Sequence, residues 1–425
     1  MKPANPRNTG SHQEKDPKVS SAEALKGIRV VEFAVYAAGP LVGKHLGEHG
    51  AEVIRVESVT RPDGFRVHYP PFKDNRPGLD RSGTFALFND EVLSVTLNLK
   101  DRRGIDLAKH LVARADIVIE NFALGVMKRL GLDYQALRKV NEKIIMLSSC
   151  NQGQTGPRAS QRGFGSQLTS LSGFTDLTGY TPAEPPMLLY GPYIDFIAVG
   201  FGLIAVLSAL DFRRRTGKGQ HIDLSQYEAG LQFLTPALLD YQVNGRLMRP
   251  QGNRDLRAAP HGAYPCKGDD AWCVIAVFSD QEWRALCETA GHSEWASDPR
   301  FESLDARKEN EDQLDQAVAE WSSQFTSFEV MGKLQDGGVP SGVVQSIGDL
   351  FSCSQLNHRG QWKVLKHREL KQYPYQAPPF VLSETPARLR RPSPCLGEHN
   401  DDVLSEILGI PEDELRRLQA EGVLT

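Results

Sequence analysis

An α/β fold built on a large, open, Rossmann-like parallel sheet is predicted by three features of the chain. Five short β-branched runs, IRVVEF, AEVIRV, VLSVTL, DIVIENF and KIIMLSS, follow one another between Ile28 and Ser149. Helical patterns such as 40–49 and 103–115 separate them, and strands that alternate with helices pair in parallel through crossover helices. A change of texture over 264–340, to one strand-like run among acidic helical patterns, predicts a second, smaller α+β domain.

Taken in order, residues 1–23 are polar and lack the apolar stretch of a signal peptide, so they predict a disordered tail. Residues 24–245 form the first part of the large α/β domain. The ends of its predicted strands are Ala34 to Pro40, Glu57 to Asp63, Asn121 to Gly125 and Cys150 to Pro157. These loops are rich in Gly, Pro and small polar residues, and open α/β sheets bind their ligands at the carboxyl ends of strands. Two helical blocks follow, Asp195 to Arg214 and Leu224 to Asn244. A Gly/Pro/Arg stretch at 245–262 then breaks the pattern and sets a boundary. Residues 246–342 make the small domain, with a strand at WCVIAVF and helices near 279–290, 309–323 and 327–336. Residues 343–425 return to strand-like VVQSI and KVLKH and end in two short helices, at 401–408 and 411–421.

Composition narrows the function classes. The chain has 425 residues, 40% hydrophobic and 24% charged, enough to bury a sizeable core. A net charge of -4 with a pI near 6.3 and scattered basic residues lacks the electrostatic footprint of a nucleic-acid binder. Six cysteines, none in a CxxC pair or at metal-ligand spacing, point to reduced thiols, no structural metal and a cytoplasmic setting. The longest apolar run, 196–210, is shorter than the roughly 20 residues a bilayer span requires, which argues against a membrane partner.

Asp195 is the one ionisable side chain at the mouth of that run. Asp is a favoured helix cap, and that is one reading. The other is chemical. GPYI precedes it, and Gly200 and Gly202 in the apolar segment are costly inside a helix unless something approaches closely. A partly desolvated carboxylate at a helix N-terminus has the character of a nucleophile. The TGKGQ turn at 216–220 reads as a helix stop or as a phosphate cradle. No GxGxxG, P-loop or HExxH motif occurs. His261 and His399 read as surface or structural residues rather than as bases.

The ordered set of FAVYAAGPLVGKHLGEHGAEVIRVE (33–57), LNLKDRRG (97–104), IENF (119–122), GQTGP (153–157), Asp195 with its apolar helix, RRRTGKGQHIDLSQYE (213–228) and LGEHNDDVLSEILGI (396–410) resembles the class III coenzyme A transferases, the family of formyl-CoA transferase and carnitine-CoA transferase. The resemblance runs from about Leu25 to Thr425. It implies a large domain built from both chain ends, a smaller domain between, and two subunits threaded through one another. It implies an acyl-CoA and a carboxylic acid as small-molecule substrates, with the coenzyme A thioester a substrate and no tightly bound cofactor. Asp195 stands at the family's distance before TG[KR]GQ. The resemblance therefore makes it the carboxylate that forms first a mixed anhydride and then an aspartyl-CoA thioester.

The same resemblance assigns CoA binding to Lys100 and Arg129, which suit a polyanion, to Asn121 and Phe122 of ENF, and to Ala37 and Arg61. It assigns the substrate pocket to Tyr36, Phe164, Gly165, His261 and Gly262, the last two standing in the 258–262 segment that corresponds to a glycine loop over the active Asp. Ala37 replaces a glutamine of formyl-CoA transferase, Ser58 an arginine and Gly165 a glutamate. These losses predict a larger acid than formate or oxalate. YGPYIDFIAVGFG with RRRTGKGQHIDLSQYE looks most like the branch of succinyl-CoA:benzylsuccinate CoA-transferases, which are heteromeric. Two other readings stand beside this one: an acyl-CoA racemase, whose second base would fall at Phe164 or Gly165, and a CoA-binding subunit that needs a second, related chain.

Overall fold

The computed structural model describes residues 22–425; residues 1–21 of the expected tail lie outside the described residues. The chain forms two compact units. The first runs to Ser148 and adds Leu203–Ile222 and Lys363–Thr425, and the second comprises Ser149–Gly202 and Asp223–Trp362. The units divide differently from the expected boundaries at 245 and 342. Residues 149–202 and 223–245 belong with the second unit, and the return to the first comes at Lys363. A Gly/Pro-rich break in sequence marks a loop, whereas packing decides which unit an element joins.

In the first unit, strands β1 (Arg29–Phe33), β2 (Glu52–Glu57), β3 (Val92–Thr96), β4 (Ile117–Glu120), β5 (Ile145–Cys150) and β6 (His221–Ser225) form one sheet in the order β3-β2-β1-β4-β5-β6. The pairs β3–β2, β2–β1, β1–β4 and β4–β5 are parallel, with Val30 opposite Val53 on one side and Ile117 on the other. All five predicted strands are present. Their β-branched runs are continuous because helices cover both faces of a parallel sheet. Val31, Ile54, Val95, Val118 and Met146 pack against Leu107 and Leu111 of the helix Arg102–Val112 and against Leu404, Leu415 and Leu418 of the two C-terminal helices. Each such buried side chain contributes about 1.5–3 kcal/mol. The tail is also sutured to β3. The Ser94 amide donates to His399 Nδ1 at 3.2 Å, and the Thr96 amide to Asn400 Oδ1 at 2.8 Å.

The second unit holds the antiparallel sheet of β7 (His261–Pro265), β8 (Trp272–Ala276) and β9 (Ser341–Val343), in the order β7-β8-β9. Helices Asp280–Ala290, Glu311–Ser322 and Ser327–Asp336 bury Trp283, Leu314, Trp321 and Leu334 with it. Two capping boxes start helices where the sequence places them, Ser279 with Glu282 and Thr326 with Glu329.

Three expectations need correction. Leu224 and Ser225, expected to open a helical block, instead end edge strand β6 (His221–Ser225); its HIDLS alternation is short and follows a long apolar helix. The 258–262 segment, expected as a covering glycine loop, leads into β7, where His261 pairs with Ala276 and Gly262 with Ile275. The apolar run is embedded in a 24-residue helix, Tyr193–Thr216, because flanking residues continue its turns. By length and composition this helix could cross a membrane, with a mean hydropathy of 2.1 over its most apolar window. Ile194, Ile197, Ala198, Val206 and Ala209 on it are buried within the protein.

Candidate active site

Asp195 lies in the first turn of the Tyr193–Thr216 helix, after Pro192, and not at its cap. Its amide donates to the Pro192 carbonyl at 2.9 Å. Among the described residues its carboxylate has no hydrogen-bond or ion-pair partner. Burial alone pushes its pKa up to about 7. An ordinary cap would spend its oxygen on a backbone amide, so the capping reading does not describe this residue.

Gly165 makes the room for this carboxylate. A β-carbon there would lie 2.4 Å from Asp195 Oδ2 and 2.5 Å from Pro192 Cβ. The glycine therefore does not open space for a larger acid, as its short side chain suggested; Asp195 itself fills that space. Ala37 is likewise 2% exposed, and its methyl opens no cavity. Phe164, immediately before Gly165, is 58% exposed and is the large apolar side chain next in sequence to the slot. Its amide donates to Gln167 Oε1 at 2.7 Å, which fixes the turn into the helix Gly165–Leu171.

At the far end of the Asp195 helix, the Gly217 amide donates to the Arg213 carbonyl at 2.7 Å with φ at +73°. Arg213 pairs with Asp116 at 2.8 Å. TGKGQ is thus a helix stop, and Gly219 is required because a β-carbon would fall 2.1 Å from the Ile144 carbonyl. Gly200, expected to allow a close approach, has nothing within 4 Å of where its β-carbon would be.

The first unit carries a cavity of about 440 Å³ at the carboxyl ends of β1, β2, β3 and β4. Ala34 to Tyr36, Arg61 to Gly64, Asn98 to Lys100 and Phe122 line parts of its wall. Sheet order reverses between β1 and β4, so this is the crevice where doubly wound folds bind ligands. Arg61 and Lys100 reach it as exposed cations with no ion-pair partner among the described residues. Tyr36, expected in the acid pocket, and Phe122, expected at CoA, both line this cavity.

Asn121 does not line the cavity. Its side chain accepts from the Val35 amide at 2.9 Å and donates to the Val35 carbonyl at 2.8 Å, strapping the loop after β1 to β4. Arg129 is exposed in the short helix Val126–Arg129 and is not among the lining residues. His261 sits elsewhere, on a cavity of the second unit bounded by Arg246 to Arg254 that does not include Asp195. Its Nδ1 meets the Asn253 carbonyl. Gly262 packs on the Tyr264 ring.

Sequence reading missed a buried charged layer beneath the first cavity. Arg55 is fully buried among Asp63, Asn89, Glu57 and Glu32. Arg66 pairs with both oxygens of Glu57, at 2.9 and 2.8 Å, and lies over the Phe85 ring. Burial raises the Glu57 pKa, but the Arg66 and Arg55 guanidiniums outweigh it and hold the carboxyl at about 2. Burial pushes Glu32 up to about 7 against the pull of Arg55. The signal was present in the charged residues inside otherwise apolar runs, Glu32 in VVEF and Arg55 in VIRV, since a charge on a buried strand needs a partner.

The model of CoA-transferase family III matches residues 25–400. The chain is 31% identical over 400 residues to the succinyl-CoA–D-citramalate CoA-transferase of Chloroflexus aurantiacus, covering 94% of this chain and 98% of that one. It is 33% identical over 411 residues to the succinyl-CoA–L-malate CoA-transferase alpha subunit of the same organism, covering 94% and 92%. A crystal structure of a CAIB/BAIF family protein from Brucella suis superposes with a TM-score of 0.83 at 32% identity, over 91% of this chain and 99% of that one. A doubly wound sheet with a crevice at its switch point and a match over most of its length define the class: the chain belongs to CoA-transferase family III. It is an enzyme of the CoA-transferase type that acts on CoA thioesters.

Proposed function

We propose that this enzyme moves coenzyme A from succinyl-CoA to a second dicarboxylic acid, with Asp195 as the covalent carrier. The observation that carries the reading is the Asp195 carboxylate, unpartnered among the described residues and half-buried against Gly165 in the first turn of its helix. A carboxylate with no ion pair or hydrogen bond to break is free to attack. Its oxygen adds to the thioester carbonyl and the CoA thiolate leaves, giving a mixed anhydride. The thiolate attacks the Asp195 acyl carbon, succinate departs, and an aspartyl-CoA thioester remains. The acceptor carboxylate repeats the exchange in reverse, and Asp195 is regenerated.

Arg61 and Lys100, at the cavity over β1 to β4, supply the charge that a CoA phosphate demands. Phe164 forms an apolar wall for the acid. Succinyl-CoA as donor, and dicarboxylates as acceptors, are supported by the names of the two Chloroflexus relatives. The benzylsuccinate branch remains one member of this acceptor class. Racemisation needs a base on each face of the α-carbon, and among the described residues no charged group acts on the Asp195 carboxylate.

Two copies, or this chain with a related subunit as the name of the malate enzyme's alpha subunit suggests, complete the assembly. Exposed apolar residues support this: Phe233, Leu239, Val243 and Leu247 in the second unit, and Ile204 and Leu207 in the first. Native mass spectrometry of the chain expressed alone should give a dimer; a lone monomer without activity would assign it to a heteromer.

Incubation of the purified protein with succinyl-CoA and a panel of acids, read by chromatography of the CoA esters, should show new dicarboxylyl-CoA with stoichiometric succinate. Release of free CoA alone, or esters of small monocarboxylic acids only, would overturn the reading. Because Asp195 must be ionised to attack and its pKa lies near 7, kcat/KM for the donor should rise with pH and level off above about 7. A profile flat from pH 5 to 8 would place the nucleophile elsewhere.

A further inference from the structure

Tyr36 has φ at +60°, the left-handed region that a bulky side chain rarely occupies. Such strain persists only where surrounding groups over-determine it. Here the surrounding group is Asp63. Its Oδ2 accepts from the Tyr36 amide at 2.9 Å, and its Oδ1 accepts from the Phe65 amide at 2.7 Å. The same Oδ2 accepts from the buried Arg55 guanidinium. Both oxygens are therefore engaged, across two loops that follow β2 and β1 and that form facing parts of the cavity wall.

The Tyr36 ring is then laid edge-on to Phe65, with centroids 5.4 Å apart, and against Gly64. A β-carbon at Gly64 would come 2.3 Å from Tyr36 Cε1. Arg55 in turn has no freedom to turn away, since it is enclosed by Asn89, Glu57 and Glu32.

We propose that Asp63, oriented by Arg55, is a positioning residue for coenzyme A: it clamps the loop after β2 to the loop after β1 and holds Tyr36 in the left-handed conformation that walls the CoA cavity. This rests on the proposed CoA site. Asp63 touches no reacting atom in the scheme above; it acts through the Tyr36 backbone. An Asn at this position keeps one acceptor oxygen and turns an NH2 group toward a donor, so half of the clamp is lost.

The test is a double-variant cycle read as the dissociation constant of CoA by calorimetry on the full chain. Asp63→Asn should weaken CoA by roughly tenfold, the size expected for one lost charged hydrogen bond. In the Tyr36→Gly background the same change should have less than about a twofold effect, because glycine adopts positive φ without a clamp. Equal weakening in both backgrounds, or none in either, would overturn the proposal. KM for the donor should follow the dissociation constant, with kcat for a saturating donor nearly unchanged; a fall in kcat alone would also overturn it.

A second readout needs no variant. The Tyr36 amide hydrogen, though in a loop, should exchange slowly in the wild-type protein. Exchange at the rate of a free peptide would refute the clamp whether or not Asp63→Asn folds. The double change Arg61→Ala, Lys100→Ala separates the two levels. If it leaves CoA binding untouched, the cavity is not the CoA site. If it weakens binding while Asp63→Asn does not, the site stands and the clamp fails.

Discussion

Asp195→Asn is expected to lower turnover to below about one thousandth of wild type, since removing a nucleophile removes the reaction path and costs factors of that order or more. CoA affinity should change little, because the cavity of the first unit is lined without Asp195. The variant should also be the more stable protein at neutral and higher pH. The folded Asp195 has its pKa raised to about 7, whereas an unfolded Asp sits near 4. Between those values the folded state holds a proton that the unfolded state has lost, so this group makes stability fall as pH rises from about 4 to about 7. Asn has no such proton to lose. Melting scans should show equal temperatures near pH 4 and a gain of about 1–4 °C for the variant at pH 8. A variant less stable at pH 8 would mean that the carboxylate was making favourable contacts when ionised, contrary to its unpartnered state.

Gly165→Ala carries the second large effect. The added methyl carbon would stand 2.4 Å from Asp195 Oδ2, 2.8 Å from its Cγ and 2.5 Å from Pro192 Cβ, all well inside van der Waals contact. The carboxylate can swing aside; the proline ring is far less able to move. Overpacking of this kind costs about 1–3 kcal/mol of stability. Its effect on rate should be larger, about a hundredfold or more in kcat, because a nucleophile displaced by about 1 Å loses that much. Steady-state kinetics beside circular dichroism and CoA calorimetry would check this. The expected pattern is a folded protein with near-normal CoA affinity and a collapsed kcat. Full activity would show that the slot does not set the orientation of Asp195.

The sheet was legible in the sequence because five strands buried on both faces leave continuous β-branched runs. Strand β6 was hidden: HIDLS alternates exposed and half-buried residues over its first four positions, as an edge strand does, and it follows closely on the long apolar helix Tyr193–Thr216. Strand β7 was hidden for another reason. HGAYP contains glycine, proline and no β-branched residue, and only its pairing with β8 makes it a strand. Helix starts and stops were readable where chemistry is local, as at Ser279, Thr326 and Gly217.

At the site, Asp195 stood out by the spacing of its motif, but its helix starts two residues sooner than the Asp and places it inside the first turn. The meaning of Gly165 could not be read from the sequence, since the chain gives no sign that the residue thirty positions later fills the glycine's space. Of the residues expected to bind CoA, Lys100, Arg61 and Phe122 line the cavity of the first unit, whereas Asn121 straps a loop and Arg129 lies outside the lining. Arg55 and Asp63 were missed because their partners come from two strands, β1 and β2, and from the separate segments that hold Tyr36, Phe65 and Asn89, a convergence that exists only after folding.

Turnover by the proposed route acylates Asp195. The direct measurement is peptide mass spectrometry after the protein is incubated with succinyl-CoA and quenched with hydroxylamine, which converts an anhydride or thioester of the Asp195 side chain into a hydroxamate. A hydroxamate should appear on Asp195, should require the donor and should be absent from Asp195→Asn. A protein that turns over succinyl-CoA without ever carrying that label would contradict this route.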